Sequence, residues 1–139
     1  FVRQHSRAWI DSGVARASDD PLILERVGDL SVRLSAAEAL LRRAGRVLDA
    51  SQAAPDERSV AAASVAVAEA RVLTTEIALK AGSKLFELGG SGASLAEHNL
   101  DRFWRNARTH TLHDPVRWKF HAIGNYYLND TLPPRHGAL

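Results

Sequence analysis

The chain contains no cysteine and no methionine, lysine occurs only three times, and aromatic residues make up 6% of its 139 residues. The first absence excludes disulfide frameworks, thiol nucleophiles and thiolate metal sites. The second, with Phe1 standing where an initiator Met would, is what a piece of a longer protein is expected to show. No apolar run approaches the ~20 residues that a membrane-crossing helix needs, and no signal-peptide pattern opens the chain, so no membrane partner is expected. An excess of charge of one sign is missing too. The 18 basic and 16 acidic residues leave a net charge of +2, too even a balance for a nucleic-acid-binding surface. What remains, 45% hydrophobic and 24% charged, has the composition of a single globular domain. A chain of this length buries about two-thirds of its unfolded surface.

Helix signals run through the sequence, and nothing in it reads as a strand or a repeat. Phe1 to Trp9 reads as the end of a helix, and Ser12-Gly13 as a break. Asp20-Pro21 is a start signal, because Asp caps free amides and Pro suits the first helical position. Ile23, Val27, Leu30, Leu34, Ala37, Leu41, Ala44 and Leu48 then follow at alternating spacings of four and three, one apolar stripe on a long helix expected to end near Ala50. Pro55-Asp56-Glu57 opens a second long helix with acidic residues at its positive end. Two adjacent stripes on it, from Val60 to Leu85 and from Ala61 to Phe86, are apolar or small, which predicts burial between several neighbours. Bundle core accounts for both helices, and neither shows any chemistry. Gly89-Gly90-Ser91-Gly92 stops the second helix, and Ser94-Leu95-Ala96-Glu97 reads as a capping box for a third. Asp114-Pro115 repeats the earlier start signal before a last helix with Val116, Phe120, Ile123 and Tyr127 on one stripe, ended by Asn129-Asp130 and Pro133-Pro134. The expected fold is all-α, an antiparallel four-helix bundle in one domain spanning 1–139, its first helix truncated.

Three segments carry possible chemistry. Taken alone, the glycine run is a helix stop, since Gly takes positive φ without strain; the alternative is backbone held close to a ligand phosphate. Arg102-Phe103-Trp104-Arg105-Asn106-Ala107-Arg108 is basic with aromatics between, but without a wider basic face it reads as a partly buried helix with exposed arginines. The segment His110-Thr111-Leu112-His113-Asp114-Pro115 matters most. Histidines three apart share a helix face, yet a metal site needs further ligands, and none are supplied at suitable spacing. Asp114 is placed to cap the final helix, and a capping carboxylate is a poor proton acceptor. His113 is therefore the better candidate for proton transfer.

Phe86 to Ser94, and then Asn99 to Pro115 with its Arg-Asn-Ala-Arg-Thr-His-Thr-Leu-His-Asp-Pro string, resemble the C-terminal helical domain of the acyl-CoA dehydrogenase superfamily. The likeness extends from about Trp9 to the end of the chain. Within the superfamily it is nearest to the flavin-dependent monooxygenases that oxidise sulfur compounds. The resemblance implies a larger, cytoplasmic homotetramer in which an N-terminal helical domain and a β-domain precede this bundle. It also implies reduced FMN delivered by a separate reductase, with FAD as the alternative, and a small-molecule substrate. By the same resemblance Gly89, Gly90, Ser91 and Gly92 approach the flavin nucleotide across a subunit contact. His113, with His110 beside it, becomes the catalytic candidate, serving oxygen activation at the flavin and proton transfer.

One departure separates branches of the superfamily. Its dehydrogenases carry a catalytic glutamate after a tyrosine, and matching the arginine pattern sets Asp114 at the glutamate and His113 at the tyrosine. A shorter carboxylate followed by Pro argues against acyl thioester dehydrogenation. The FAD-dependent acyl-CoA dehydrogenase is the alternative reading, and a stand-alone helical interaction module the third.

Overall fold

The computed structural model describes residues 1–136, so the last three residues of the expected domain lie outside the described ones. The described residues form helices and turns with no strand: α1 (Val2–His5), α2 (Pro21–Ala53), α3 (Glu57–Gly89), α4 (Asp101–Leu112) and α5 (Val116–Asn129), with 3-10 turns at Ile10–Ser12, Ala17–Asp19 and Ser91–Ser94. The all-α bundle expected from sequence is what the chain adopts.

Asp20 caps α2 as its position before Pro21 predicts, its Oδ1 accepting from the Leu22 amide at 2.9 Å. The helix runs three residues beyond the expected end at Ala50, because Ser51 is buried against α3, its Oγ 3.5 Å from Ser59 Oγ. The turn is thus confined to residues 54–56. Asp56 and Ser59 then close a reciprocal capping box: the Ser59 amide donates to Asp56 Oδ1 at 2.7 Å and the Asp56 amide to Ser59 Oγ at 2.9 Å.

Each of the two long helices has 33 residues, hence a length of about 50 Å. Their antiparallel register is read directly from cross-helix pairs: Ser51 with Ser59, Arg43 with Glu69, Asp29 with Lys80, Arg26 with Glu87. Ala37 and Ala44 of α2 and Ala61, Ala63, Ala66, Ala68 and Ala70 of α3 are buried, and among the described residues no large side chain is completely enclosed. Small residues of this kind allow helix axes to approach to roughly 8 Å. α3 also packs against α4 and α5, so its wide apolar arc is buried on several sides, as the double stripe predicts.

The stripe of α2 divides into two rows. Ile23, Leu30, Ala37 and Ala44 turn inward, whereas Val27, Leu34, Leu41 and Leu48, each seven residues from the next, stay 40–58% exposed.

Two expectations fail beyond α3. Ser94 does not open a capping box. It ends a 3-10 turn and its Oγ donates to the Ser91 carbonyl at 2.7 Å, and α4 begins only at Asp101. The hydroxyl satisfies its own loop, and Asn99, at φ +47°, interrupts any helix through this stretch, a conformation Asn tolerates better than most residues. In α5 the buried residues are Lys119 and Ala122, while Phe120 and Tyr127 of the expected stripe lie at the surface. Apolar spacing alone misplaces this face, because its most buried member is a charged one.

Candidate functional site

α4 runs antiparallel to α3. Trp104, early in α4, sits on Gly82, and His110, late in α4, reaches Arg71. A Cβ at Gly82 would lie 3.2 Å from the Trp104 Cα, so the close crossing of the two helices depends on that glycine. The chain is then carried to the junction of α4 and α5, residues 113–115, where the histidine segment lies.

At this junction Arg71 Nη1 lies 2.8 Å from His110 Nε2. A guanidinium only donates, so Nε2 is the acceptor and the ring carries its proton on Nδ1. Arg71 Nε is buried with no hydrogen-bond partner among the described residues. Arg71 is a neighbour of the candidate His110 that sequence reading passed over. It is one of several charges along α3, so nothing in the sequence alone sets it apart.

His113 ends α4 with φ −66° and ψ −30°, its side chain exposed. Among the described residues its ring has no hydrogen-bond partner, which leaves both nitrogens free to serve a bound molecule. Asp114 does not cap α5, which begins after Pro115 without a side-chain cap. Its Oδ2 lies 2.9 Å from the Lys119 ammonium, and the Lys119 side chain is only 3% exposed. A buried ammonium is stable only when paired, and here that requirement has drawn the carboxylate away from the helix amides. Beside this pair lies a cavity of about 460 Å³, walled by Trp118, His121 and Asn125 of α5 and by Leu132 and Pro133 beyond it, with Asp114 at its edge.

The glycine run lies at the far end of α4. Gly89 is fixed by packing, since a Cβ there would come within 2.6 Å of Ala93 Cβ and 3.1 Å of the Phe1 ring. Gly90 has φ +68°, a conformation that favours glycine, and a Cβ at Gly90 or Gly92 would meet nothing within 4 Å. The outer side of Gly90, Ser91 and Gly92 is therefore open backbone that a ligand can approach closely, and Ser91 is exposed. Within one chain the structure does not bring this loop to the histidines. The 12 residues of α4 alone separate them by about 18 Å.

The family model described as "Acyl-CoA dehydrogenase, C-terminal domain" matches residues 1–118. A dibenzothiophene monooxygenase of Mycolicibacterium goodii is 36% identical, with 96% of this chain and 33% of the relative covered. A probable FMNH2-dependent monooxygenase, SfnC, of Pseudomonas putida is 37% identical over 96% of this chain and 34% of its own length. Among solved structures, the complex of TdsC from Paenibacillus sp. A11-2 with FMN and indole superposes with a TM-score of 0.92 at 33% identity, covering 99% of this chain and 36% of that one. The chain spans about a third of the length of the curated relatives it matches.

Proposed function

Because this chain belongs to the family of acyl-CoA dehydrogenase C-terminal domains, we propose that it is the helical C-terminal part of a flavin-dependent monooxygenase acting on a small molecule. The single observation that carries the oxygenase reading is the contrast at the α4–α5 junction. Asp114 is engaged by the buried Lys119, whereas the ring of His113 is exposed and uncommitted among the described residues. An acyl-CoA dehydrogenase would need the carboxylate at this position free to take a substrate proton. An imidazole that can donate from one nitrogen and accept at the other suits proton delivery near neutral pH. The FMNH2-dependent and FMN-bound relatives support reduced FMN as the cofactor, with FAD the alternative.

The residues present fit such a group. Gly90 to Gly92 offer backbone with no side chain in the way, suited to the nucleotide phosphate, and His113 offers a polar tip at the other end of α4. Reduced flavin, when bound, supplies the electrons that activate dioxygen. His113 would hold and pass the proton at its ring nitrogens, and His110 would present Nδ1–H because Arg71 occupies Nε2. The separation along α4 favours an arrangement in which one flavin takes its glycine contacts from one protomer and its histidine from another. This supports the homo-oligomer, and a separate reductase would supply the reduced flavin.

The test is oxygen consumption by the full-length protein given chemically reduced FMN, with sulfur heterocycles, indole and small sulfinates as substrates. Substrate-dependent incorporation of one oxygen atom from labelled dioxygen supports the reading. Reduction of the bound flavin by an acyl thioester, without oxygen transfer, would replace it with the dehydrogenase.

A further inference from the structure

Lys119 has no role in the reading above, yet it is among the most buried charged side chains described, its residue 2% exposed. Burying an ammonium costs stability that a paired carboxylate repays only in part, and apolar residues of similar volume often serve as well or better. Packing therefore does not explain a lysine here. The junction that it touches is otherwise weakly fixed. No side chain caps the start of α5, and the two helices are separated only by residues 113–115. Pro115 fixes its own φ, at −73°, but not the direction of the preceding turn. The Lys119 ammonium reaches back from the second turn of α5 to Asp114, at 2.9 Å, and so closes that turn onto the helix that follows it.

We propose that Lys119 is a positioning residue. Through Asp114 it sets the direction in which His113 leaves α4, and so the placement of the imidazole toward a bound flavin. The inference rests on the proposed role of His113, and it assigns the Lys119–Asp114 pair to geometry rather than to proton transfer or to stability. Arg71 does the corresponding work one turn earlier by holding His110. Between these two cations the six residues from His110 to Pro115 are held from α3 on one side and from α5 on the other.

The experiment is a double-mutant cycle on Lys119→Met and Asp114→Asn. In the full-length protein the readouts are product formed and peroxide released per reduced flavin. On the same full-length variants, thermal stability and the imidazole NMR signals of His113 are also read. Misplacing a group by about 1 Å can cost ~100-fold in rate, so each single variant should lower product formation by roughly 10- to 100-fold and shift the losses to peroxide. The double variant should be no worse than either single one, and its thermal midpoint should fall by less than the two single losses together, because neither charge is then left without the other. The His113 signals should shift in all three variants. Unchanged His113 signals, multiplicative losses, or activity that falls only in proportion to lost folded protein would overturn the proposal. If the parent protein transfers no oxygen, the oxygenase reading fails, while the NMR arm still decides whether Lys119 positions His113.

Discussion

At the scale of single residues, the junction between α4 and α5 holds two side chains with opposite commitments. His113→Ala in the full-length protein should leave folding and flavin affinity nearly unchanged, because an exposed side chain at a helix end carries little packing. Product formation should fall by ~10²–10³, the usual cost of losing one donor to developing charge in a dry site, with peroxide released instead. A paired measurement of peroxide and product checks this, and retention of full coupling would remove His113 from the mechanism. Sequence pattern was sufficient to single out this segment, since histidines three apart beside Asp-Pro are visible in one dimension. It misassigned Asp114 because the competitor for its carboxylate, Lys119, declares itself only once α5 is rotated about its axis. It missed Arg71 for the same reason, as the partner lies 39 residues away.

Among elements, α2 and α3 were legible nearly end to end, since Asp20 and Asp56 sit before their helices and their apolar spacings are long. The start of α4 and the face of α5 were not. The former turns on a serine that satisfies its own loop and on the positive φ of Asn99; the latter follows a buried lysine rather than an apolar stripe. The close crossing of α3 and α4 gives a second expectation. Gly82→Ala would force its new methyl against the Trp104 backbone, which cannot yield as a flexible side chain would, and should destabilise the chain by about 1–3 kcal/mol. Denaturant unfolding of the purified variant measures it, and a stability gain of the kind that Gly→Ala gives in open helices would show that the crossing is looser than described.

A three-helix tie provides a third. The Tyr127 hydroxyl of α5 donates to Glu69 Oε1 of α3 at 2.8 Å, and Glu69 also pairs with Arg43 of α2. The bond to Glu69, the larger cause, with some loss of hydration at the hydroxyl, holds the Tyr127 phenol above its ordinary value of 10.0. Lys80 first, then Arg33, holds Asp29 below the ordinary carboxylate value of 3.8, and Arg58 does the same for Asp130. The depressed carboxylates add stability above pH 3.8 that is lost as pH falls through their folded values. The raised phenol adds stability below pH 10.0 that is lost as pH rises through its folded value. Thermal midpoints should thus be flat between about pH 5 and 9 and fall on both sides. Tyr127→Phe should flatten the alkaline fall; an unchanged alkaline limb would detach it from this tie.

For the whole molecule, area is informative. A compact monomer of 15.2 kDa exposes about 7,100 Å², whereas this chain exposes 9382 Å². The excess is more than twice the roughly 600–1,000 Å² that each partner contributes to a stable protein–protein contact. Part of it is the outward row Val27, Leu34, Leu41 and Leu48, a set of apolar side chains larger than monomers usually leave open. The 139-residue chain alone should therefore self-associate at micromolar concentration. Sedimentation velocity tests this directly, a single monomeric boundary being the contrary result. Leu34→Glu with Leu41→Glu should shift the boundary toward monomer.

The alanines between α2 and α3 have a calorimetric consequence. Unfolding heat capacity follows the apolar area newly exposed to water, and an interface of methyl groups exposes little of it. A dilute, dissociated chain should accordingly unfold with a heat-capacity increment well under the ~12–15 cal/mol/K per residue of ordinary domains, and so with a broad, shallow stability curve. When the leucine row is covered by a partner, the increment should rise toward the ordinary value and the curve should sharpen. The temperature at which this bundle is most stable is then a property of its assembly rather than of its fold.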